Sequence, residues 1–238
     1  MKDVRLIPYM KKLEHSYAIG VFPVIELLEN KTAQVVKVIF QSRGKDNSGV
    51  KKIVEICKKN NIRMEWNDGL IKKLGGTDNA YAIAAFMKYK DQVENGVNHV
   101  VMANPQDAGN LGTIIRTGLG FGIRNFAIIS PGVDVFDPKT VRASMGAVFN
   151  ANIEYFPNFE SYSQKHKNNV YTFMVHGKDE LSNIKFKSPF ALVFGSESAG
   201  LSAEYFSLGT PVHIEQTNDV DSLNLSIAAG VAMYIASK

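Results

Sequence analysis

The stretch Asp221-Ser-Leu-Asn-Leu-Ser-Ile-Ala-Ala-Gly-Val-Ala232 places polar residues at the entrance of a run that is otherwise apolar. The run continues to Ala236, and its large side chains point around a helical wheel rather than along one stripe. The pattern therefore predicts a helix that is buried on several sides, in the core or in a subunit interface. Ser222 and Asn224 precede this helix, where a polar side chain can cap the first N–H groups or face a ligand.

Length and composition limit the class of protein. The chain has 238 residues, which allows one large or two small domains. No apolar run reaches the roughly 20 residues of a membrane span, and the first residues have no signal-peptide core, so we expect a cytoplasmic protein. Cys57 is the only cysteine, and the five histidines show no paired ligand spacing. We therefore expect neither an internal disulfide nor a metal site.

Charge is distributed unevenly along the chain. Residues 1–97 contain 17 Lys and Arg against 11 Asp and Glu, a net charge of +6, whereas residues 98–238 contain 10 against 12, a net charge of −2. A basic excess over a whole domain is typical of a surface that attracts a polyanion. Any single lysine pair can equally be a solvated helix face.

A polar, charged stretch over residues 88–98 separates two α/β regions, so we place a small domain at 1–95 and a larger one at 96–238. The first region is predicted to contain strands at 34–41 and 80–86 and an amphipathic helix at 49–60. In the second, apolar runs alternate with helical patterns, which predicts a mainly parallel sheet covered by helices. These runs begin at His99, Asn125, Val170, Phe190 and Pro211.

Ligands of open parallel sheets bind beyond the carboxyl ends of the strands, so ligand-binding residues are expected in the segment after each strand. After the strand ending at Ala103, Asn110 is predicted to cap a helix with an apolar stripe. Arg116 points away from that stripe and reaches back over Gly112, so Arg116 and Asn110 are expected to converge above the sheet. A surface arginine on an amphipathic helix is the simpler alternative.

After the strand ending near Phe194 comes Gly195-Ser-Glu-Ser-Ala-Gly-Leu201, a glycine-bounded turn that contains a carboxylate. It lacks the Gly-x-Ser-x-Gly spacing of serine hydrolases, and the chain has no P-loop motif. The string Gly118-Leu-Gly-Phe-Gly122 ends a helix rather than following a strand, which disfavours a dinucleotide site.

Together the three segments resemble the three motifs of the SpoU-type RNA ribose 2′-O-methyltransferases of the SPOUT class. Asn110 and Arg116 match the first motif, Gly195-Ser-Glu-Ser-Ala-Gly-Leu201 the second, and Ser222-Leu-Asn-Leu-Ser-Ile-Ala-Ala-Gly230 the third. The N-terminal region is similar to the substrate-binding domain of this family. In that domain, the family often has His-Gln-Gly where this chain has Gly76-Thr-Asp-Asn-Ala80. This difference bears on which RNA is bound, not on whether methyl transfer occurs.

The resemblance implies a trefoil knot at the C-terminus and a homodimer that buries the last helix. It also implies S-adenosylmethionine as cofactor, held by backbone groups near Gly195, Ile214 and Leu223. The substrate it implies is RNA rather than DNA. The basic first domain favours ribosomal over transfer RNA, and an antibiotic-resistance role stays open. The rival hypothesis is an RNA-binding protein with this fold and no catalysis.

Methyl transfer to a ribose 2′-oxygen requires that the oxygen and the methyl carbon be held in line for attack. It also requires that the hydroxyl proton leave as the new bond forms. Arg116 is the catalytic candidate of the family, either as a base or as a group that holds phosphate and stabilises the oxyanion. Because guanidinium groups stay protonated, we favour the second role. Asn110 and Asn224 are expected to supply amide hydrogen bonds, and Ser222 a hydroxyl near the target oxygen. Glu197 is expected to orient Arg116 or to cap the helix that follows it.

Overall fold

The computed structural model describes residues 4–75, 80–217 and 219–238. The chain forms two compact units, Met1–Tyr89 with Asp134–Asn150, and Lys90–Val133 with Ala151–Lys238. The stretch at 76–79, where the family's His-Gln-Gly is replaced, lies outside the described residues. None of the helices described has both the length and the apolar character needed to cross a membrane.

Eleven strands and seven α-helices are described. The strands are β1 (His15–Ile19), β2 (Val35–Phe40), β3 (Met64–Trp66), β4 (Ala82–Met87), β5 (His99–Ala103), β6 (Asn125–Ile129), β7 (Asn152–Phe156), β8 (Asn169–Phe173), β9 (Asp179–Glu180), β10 (Phe190–Phe194) and β11 (Thr210–His213). The helices are α1 (Val21–Asn30), α2 (Ser48–Lys59), α3 (Asp68–Lys73), α4 (Ala108–Gly120), α5 (Pro138–Ala143), α6 (Phe159–Lys165) and α7 (Leu225–Ala236).

The first unit contains a four-stranded sheet in the order β1-β4-β2-β3, in which only the β2–β3 pairing is parallel. The predicted helix at 49–60 is confirmed as α2, and Val50, Ile53 and Cys57 on it are buried. Burial raises the pKa of the Cys57 thiol to about 11, so this cysteine is an inert core residue.

The segment Asp134–Asn150 packs in the first unit, although the sequence assigned it to the second domain. Two of its aromatic side chains, Phe136 and Phe149, are buried with their ring centroids 5.7 and 5.1 Å from that of Phe86. Lys88 also donates to Asp134 over 2.6 Å. A boundary read from local composition misses such a segment, because long-range apolar contacts decide where it packs.

The second unit is built on a seven-stranded sheet in the order β7-β6-β5-β10-β8-β11-β9. Every pairing in it is parallel, which confirms the predicted parallel sheet. Strands β5, β6 and β10 are buried along their whole length, as expected for a sheet covered on both faces. The five predicted strands are present, and β7 and β9 were not predicted.

Helix α7 is less buried than its sequence predicts. Ala229, Ala232 and Met233 are buried, whereas Ile227 is 57% and Tyr234 47% exposed. The small residues allow α7 to pack closely on α4, where a Cβ added to Gly230 would lie 3.6 Å from the Thr117 methyl group. Within the described residues one apolar face of α7 is therefore exposed, so the helix is not a core helix of the single chain, and its burial in a subunit interface stays a prediction.

A buried histidine predicts acid sensitivity of the second unit. His166 is 3% exposed, and neither ring nitrogen has a hydrogen-bond partner among the described residues. Burial, together with the nearby charges of His99 and Lys165, lowers the pKa of His166 to about 4. The unfolded chain therefore takes up a proton near pH 6.5 that the folded chain resists until about pH 4.

We expect the free energy of unfolding to fall as pH drops from 6.5 towards 4, by at most about 1.4 kcal/mol per pH unit from this residue. Urea unfolding at several pH values measures that slope, and His166→Phe should flatten it because phenylalanine keeps an aromatic ring and does not titrate. Equal slopes for the two proteins would contradict the assignment to His166.

Candidate active site

Three loops meet at the carboxyl edge of the parallel sheet, because β5, β10 and β11 run in the same direction. They follow Ala103, Phe194 and His213. The second contains its motif segment, and the first and third lead into α4 and α7, where the other two motifs lie. The second and third loops border a cavity of about 300 Å³. Its lining residues include Phe173, Met174, Phe194, Gly195, Glu197, Ser198, Gly200, Ile214, Gln216, Asp221, Ser222, Leu223 and Ala228. All three predicted cofactor positions, Gly195, Ile214 and Leu223, line this one cavity.

The loop after β10 is closed on itself by main-chain hydrogen bonds. Gly200 N donates to Ser196 O over 2.9 Å, and Ser196 N donates to Gly200 O over 3.3 Å. A Cβ on Gly195 would collide with the main chain of Gly200 and Leu201. Gly200 has φ +65°, a conformation that glycine adopts without strain. The two glycines therefore fix the loop that forms one wall of the cavity.

The Glu197 carboxylate connects this loop to the start of α4. It accepts hydrogen bonds from Gln106 N over 2.9 Å, from Asp107 N over 3.1 Å and from Asn110 Nδ2 over 3.2 Å. Neither role predicted for Glu197 is seen among the described residues: it makes no hydrogen bond or ion pair with Arg116, and its carboxylate accepts from the start of α4 rather than from the segment after it. A carboxylate is favoured here because the N-terminus of α4 presents free N–H groups and a partial positive charge.

Asn110 lies inside α4 and does not cap it, which corrects the sequence prediction. Asp107 is the cap, because its carboxylate accepts from Asn110 N over 2.7 Å. Asn110 instead contacts the third motif, where Asn224 Nδ2 donates to Asn110 Oδ1 over 3.3 Å. Asn224 caps α7 by accepting from Ser226 N and Ile227 N. Hydrogen bonds thus link one residue of each motif: Glu197, Asn110 and Asn224.

Arg116 and Ser222 are not part of this hydrogen-bonded chain. Ser222 is exposed and lines the cavity. Arg116 is exposed on α4, and within the described ranges it makes no hydrogen bond or ion pair. Its guanidinium is therefore available to a ligand outside the chain. The expected convergence of Arg116 with Asn110 is not seen as a contact between them.

Sequence reasoning missed two features of the site. Asp107 was overlooked, although an aspartate just before a helical pattern is a strong cap signal. The rings of Phe173 and Phe194 stack at a centroid distance of 4.6 Å and form an apolar wall of the cavity. These two residues end separate strands, β8 and β10, so only the strand pairing brings them together.

No group of three or more potential metal ligands occurs among residues 4–75, 80–217 and 219–238.

Glu197→Gln should weaken the connection between the two loops, because an amide offers one oxygen and one N–H group to three donors. We expect the free energy of unfolding to fall by about 1 kcal/mol. For the methyl transfer that the resemblance implies, we expect the rate to fall about tenfold, since a displaced loop would misalign the reacting atoms. Urea unfolding and initial rates measure both effects.

Glu204→Gln is the matched control, because Glu204 is exposed and its carboxylate accepts a hydrogen bond from the nearby Ser202. Equal effects of the two variants would argue against a linking role for Glu197.

Comparisons with known proteins agree over both units. Residues 98–234 match the SpoU rRNA methylase family, and residues 17–90 match the RNA 2′-O ribose methyltransferase substrate-binding family. An uncharacterized tRNA/rRNA methyltransferase of Archaeoglobus fulgidus is 30% identical over 89% of this chain and 93% of its own length. Another, from Synechocystis, is 33% identical over 58% of this chain, and the match spans about half of that relative, 52%.

The fold is also found among solved structures. The crystal structure of an rRNA methyltransferase from Sinorhizobium meliloti superposes with a TM-score of 0.78 and 26% identity. The superposition covers 94% of this chain and 86% of that protein. Because the family match covers more than half of the chain and includes all three motif segments, the chain belongs to the SpoU family of RNA ribose 2′-O-methyltransferases.

Proposed function

We propose that this chain transfers a methyl group from S-adenosylmethionine to a ribose 2′-hydroxyl of RNA. The observation that supports this most strongly is the linkage of the three motif loops by Glu197, Asn110 and Asn224 beside one cavity. A chain that bound RNA without catalysis would gain nothing from holding these side chains together at the carboxyl edge of the sheet.

The cavity has the chemistry that S-adenosylmethionine requires. Its walls include the stacked Phe173 and Phe194 rings and Leu223, which suit the flat apolar faces of an adenine. Glu197 and Asp221 add carboxylates, which suit the cationic sulfonium and amino groups. Backbone groups near Gly195, Ile214 and Leu223 would hold the adenosine end. When bound, the cofactor supplies the methyl group.

The side chains around the cavity would act on the ribose. Ser222 would hydrogen-bond near the target oxygen, and the amides of Asn110 and Asn224 would orient the ribose or the cofactor. Arg116 would hold the target phosphate and stabilise the charge that develops on the attacking oxygen. Glu197 would act as a positioning residue, because it holds Asn110 and the start of α4.

Ribosomal RNA is the favoured substrate over transfer RNA. The first unit contains 18 Lys and Arg against 11 Asp and Glu, a net charge of +7, whereas the second contains 9 against 12, a net charge of −3. A separate basic unit extends the area that can bind phosphates beyond the catalytic unit. The names of the SpoU rRNA methylase family and of the Sinorhizobium structure support the same preference.

Transfer of labelled methyl groups from S-adenosylmethionine to unmodified total RNA tests the proposal, with ribosomal and transfer fractions separated afterwards. Alkaline hydrolysis should leave the labelled linkages intact, because a 2′-O-methyl group removes the internal nucleophile. Label in the ribosomal fraction would support the favoured substrate. RNA binding without incorporation, also on assembled ribosomal particles, would support the rival hypothesis of a noncatalytic binder.

We also propose that the chain is a homodimer whose interface includes α7, and that its C-terminal segment forms the trefoil knot implied by the family. The exposed apolar side chains of α7, Ile227, Val231, Tyr234 and Ile235, support the dimer.

Ile227→Glu should shift the protein from dimer to monomer in sedimentation analysis, because it buries a charge in the interface. Phe206→Glu is the control, since Phe206 is 45% exposed elsewhere in the same unit. A dimer that tolerates Ile227→Glu would contradict this interface.

A further inference from the structure

Trp66 is the only tryptophan of the chain, and its side chain is exposed in the basic unit. It ends the edge strand β3, and the residue is 43% exposed. A large aromatic ring that stays half exposed at the end of an edge strand contributes little to the core. The net positive charge proposed to attract RNA to the first unit does not involve this ring.

The structure holds the ring in a fixed position. Trp66 pairs with Phe40 at the end of the β2–β3 ladder, and Asn67 N donates to Phe40 O over 2.9 Å. The Trp66 ring packs on the buried ring of Phe40, with a centroid distance of 4.9 Å and an interplanar angle of 31°. One side of the indole is therefore anchored in the core, and little side-chain entropy remains to be lost when a ligand stacks on the exposed side.

Two cations lie on the turn that borders the ring. Lys45 Nζ is 5.7 Å from the Trp66 ring centroid, and Arg43 is exposed on the same turn. The turn is tied to the segment that follows the tryptophan, because Ser42 N donates to Asp68 Oδ1 over 2.6 Å. A hydrogen bond from the main chain of this turn to the Asp68 carboxylate thus holds the positively charged side chains beside the aromatic ring.

We propose that Trp66 is a stacking platform for a base of single-stranded RNA, and that Lys45 and Arg43 bind the adjacent phosphates. A base that stacks on the indole displaces Lys45 from the ring, and its ammonium then pairs with the backbone of the nucleotide. Aromatic side chains beside a cationic groove are the common means of binding unpaired nucleotides. The inference rests on the proposed function, since it gives the basic unit a specific RNA contact.

RNA suits this surface better than a protein partner does. Lys45 lies over the indole, Arg43 is exposed on the same turn, and the unit carries a net charge of +7. A protein-binding site centred on an exposed tryptophan would be surrounded by further apolar contacts that exclude water.

Fluorescence of the single tryptophan reports on this site directly. Titration of the 238-residue chain with a short oligouridylate at low salt should quench the emission, because a stacked base contacts the indole. The measurement needs neither cofactor nor turnover, so it is independent of methyl transfer. Fluorescence anisotropy of the same oligouridylate, labelled with fluorescein, then gives the affinity of each variant.

Trp66→Ala should weaken oligouridylate binding about tenfold or more, whereas Trp66→Phe should restore most of it. Lys45→Gln should lower the slope of log Kd against log salt concentration by the amount expected for the loss of about one phosphate contact. Phe22→Ala and Lys58→Gln are the matched controls, because they remove an exposed aromatic and an exposed cation elsewhere in the unit. Both controls should bind within about twofold of the unmodified protein.

Unchanged emission together with unchanged affinity of Trp66→Ala would overturn the inference. An equal loss with Phe22→Ala or with Trp66→Phe would also overturn it, since no specific stacking would then be present. Quenching without any methyl transfer would sustain the inference while the proposed reaction fails. Methyl transfer whose KM for RNA is unaffected by Trp66→Ala would sustain the reaction and reject the stacking site.

Discussion

Arg116→Ala is expected to lower kcat for methyl transfer by about 10² to 10³-fold, while the Kd for S-adenosylmethionine changes by less than about twofold. The guanidinium is exposed and unpaired within the described residues, so its removal leaves no buried donor without a partner. Arg116 is proposed to act on the RNA: it binds the target phosphate and stabilises the attacking ribose oxygen as the new bond forms. Little stability should be lost.

Single-turnover kinetics and calorimetric titration with cofactor separate these two effects. Arg116→Lys should recover only part of the rate, because an ammonium lacks the planar fork that binds phosphate in a bidentate manner. Arg124→Ala is a suitable control, since Arg124 is exposed just beyond the same helix. A large loss of cofactor affinity in Arg116→Ala would instead place Arg116 in the cofactor site.

Gly195→Ala is expected to weaken cofactor binding by about 10 to 100-fold, and turnover at limiting cofactor should fall in parallel. The added Cβ would collide with the main chain of Gly200 and Leu201. Main-chain atoms cannot rotate away as a side chain can, so the Ser196–Gly200 bridge must open. That opening displaces the loop that forms one wall of the cavity.

Gly120→Ala provides the control for this substitution. A Cβ on Gly120 would have no atom within 4 Å, and the residue ends α4 with ordinary helical geometry. Alanine there should leave cofactor affinity unchanged and slightly raise the free energy of unfolding. Normal cofactor affinity in Gly195→Ala would show that the loop can move without cost, and would remove Gly195 from the cofactor site.

The central strands were predictable because burial on both faces leaves a continuous apolar run in the sequence. The predictions for β5 and β6, at 99–103 and 125–129, agree with the structure to the residue. The strands that were missed lack this signal. β9 has only two residues, and β7 lies at the edge of the sheet, where Glu154 and Tyr155 interrupt the apolar pattern.

The composition of the site was predictable, but its contacts were not. Polar residues after buried strands, together with the resemblance to the family, pointed to Asn110, Glu197 and Asn224, and hydrogen bonds join these three side chains in the structure. The hydrogen-bond partners of these side chains were predicted wrongly or not at all. They depend on which free N–H groups lie opposite each side chain in the fold. Glu197 turns towards the start of α4, where Gln106 and Asp107 present such groups.

The sequence by itself determined the parallel sheet, the three motif loops and the basic character of the first domain, because local periodicity and net charge are properties of the chain alone. The tertiary structure decided that Asp134–Asn150 packs in the first unit, that one face of α7 stays exposed, and that Trp66 is held half-exposed on Phe40. Each depends on contacts between residues far apart in the chain. The free energy of such contacts comes from apolar surface removed from water, which no window of neighbouring residues contains.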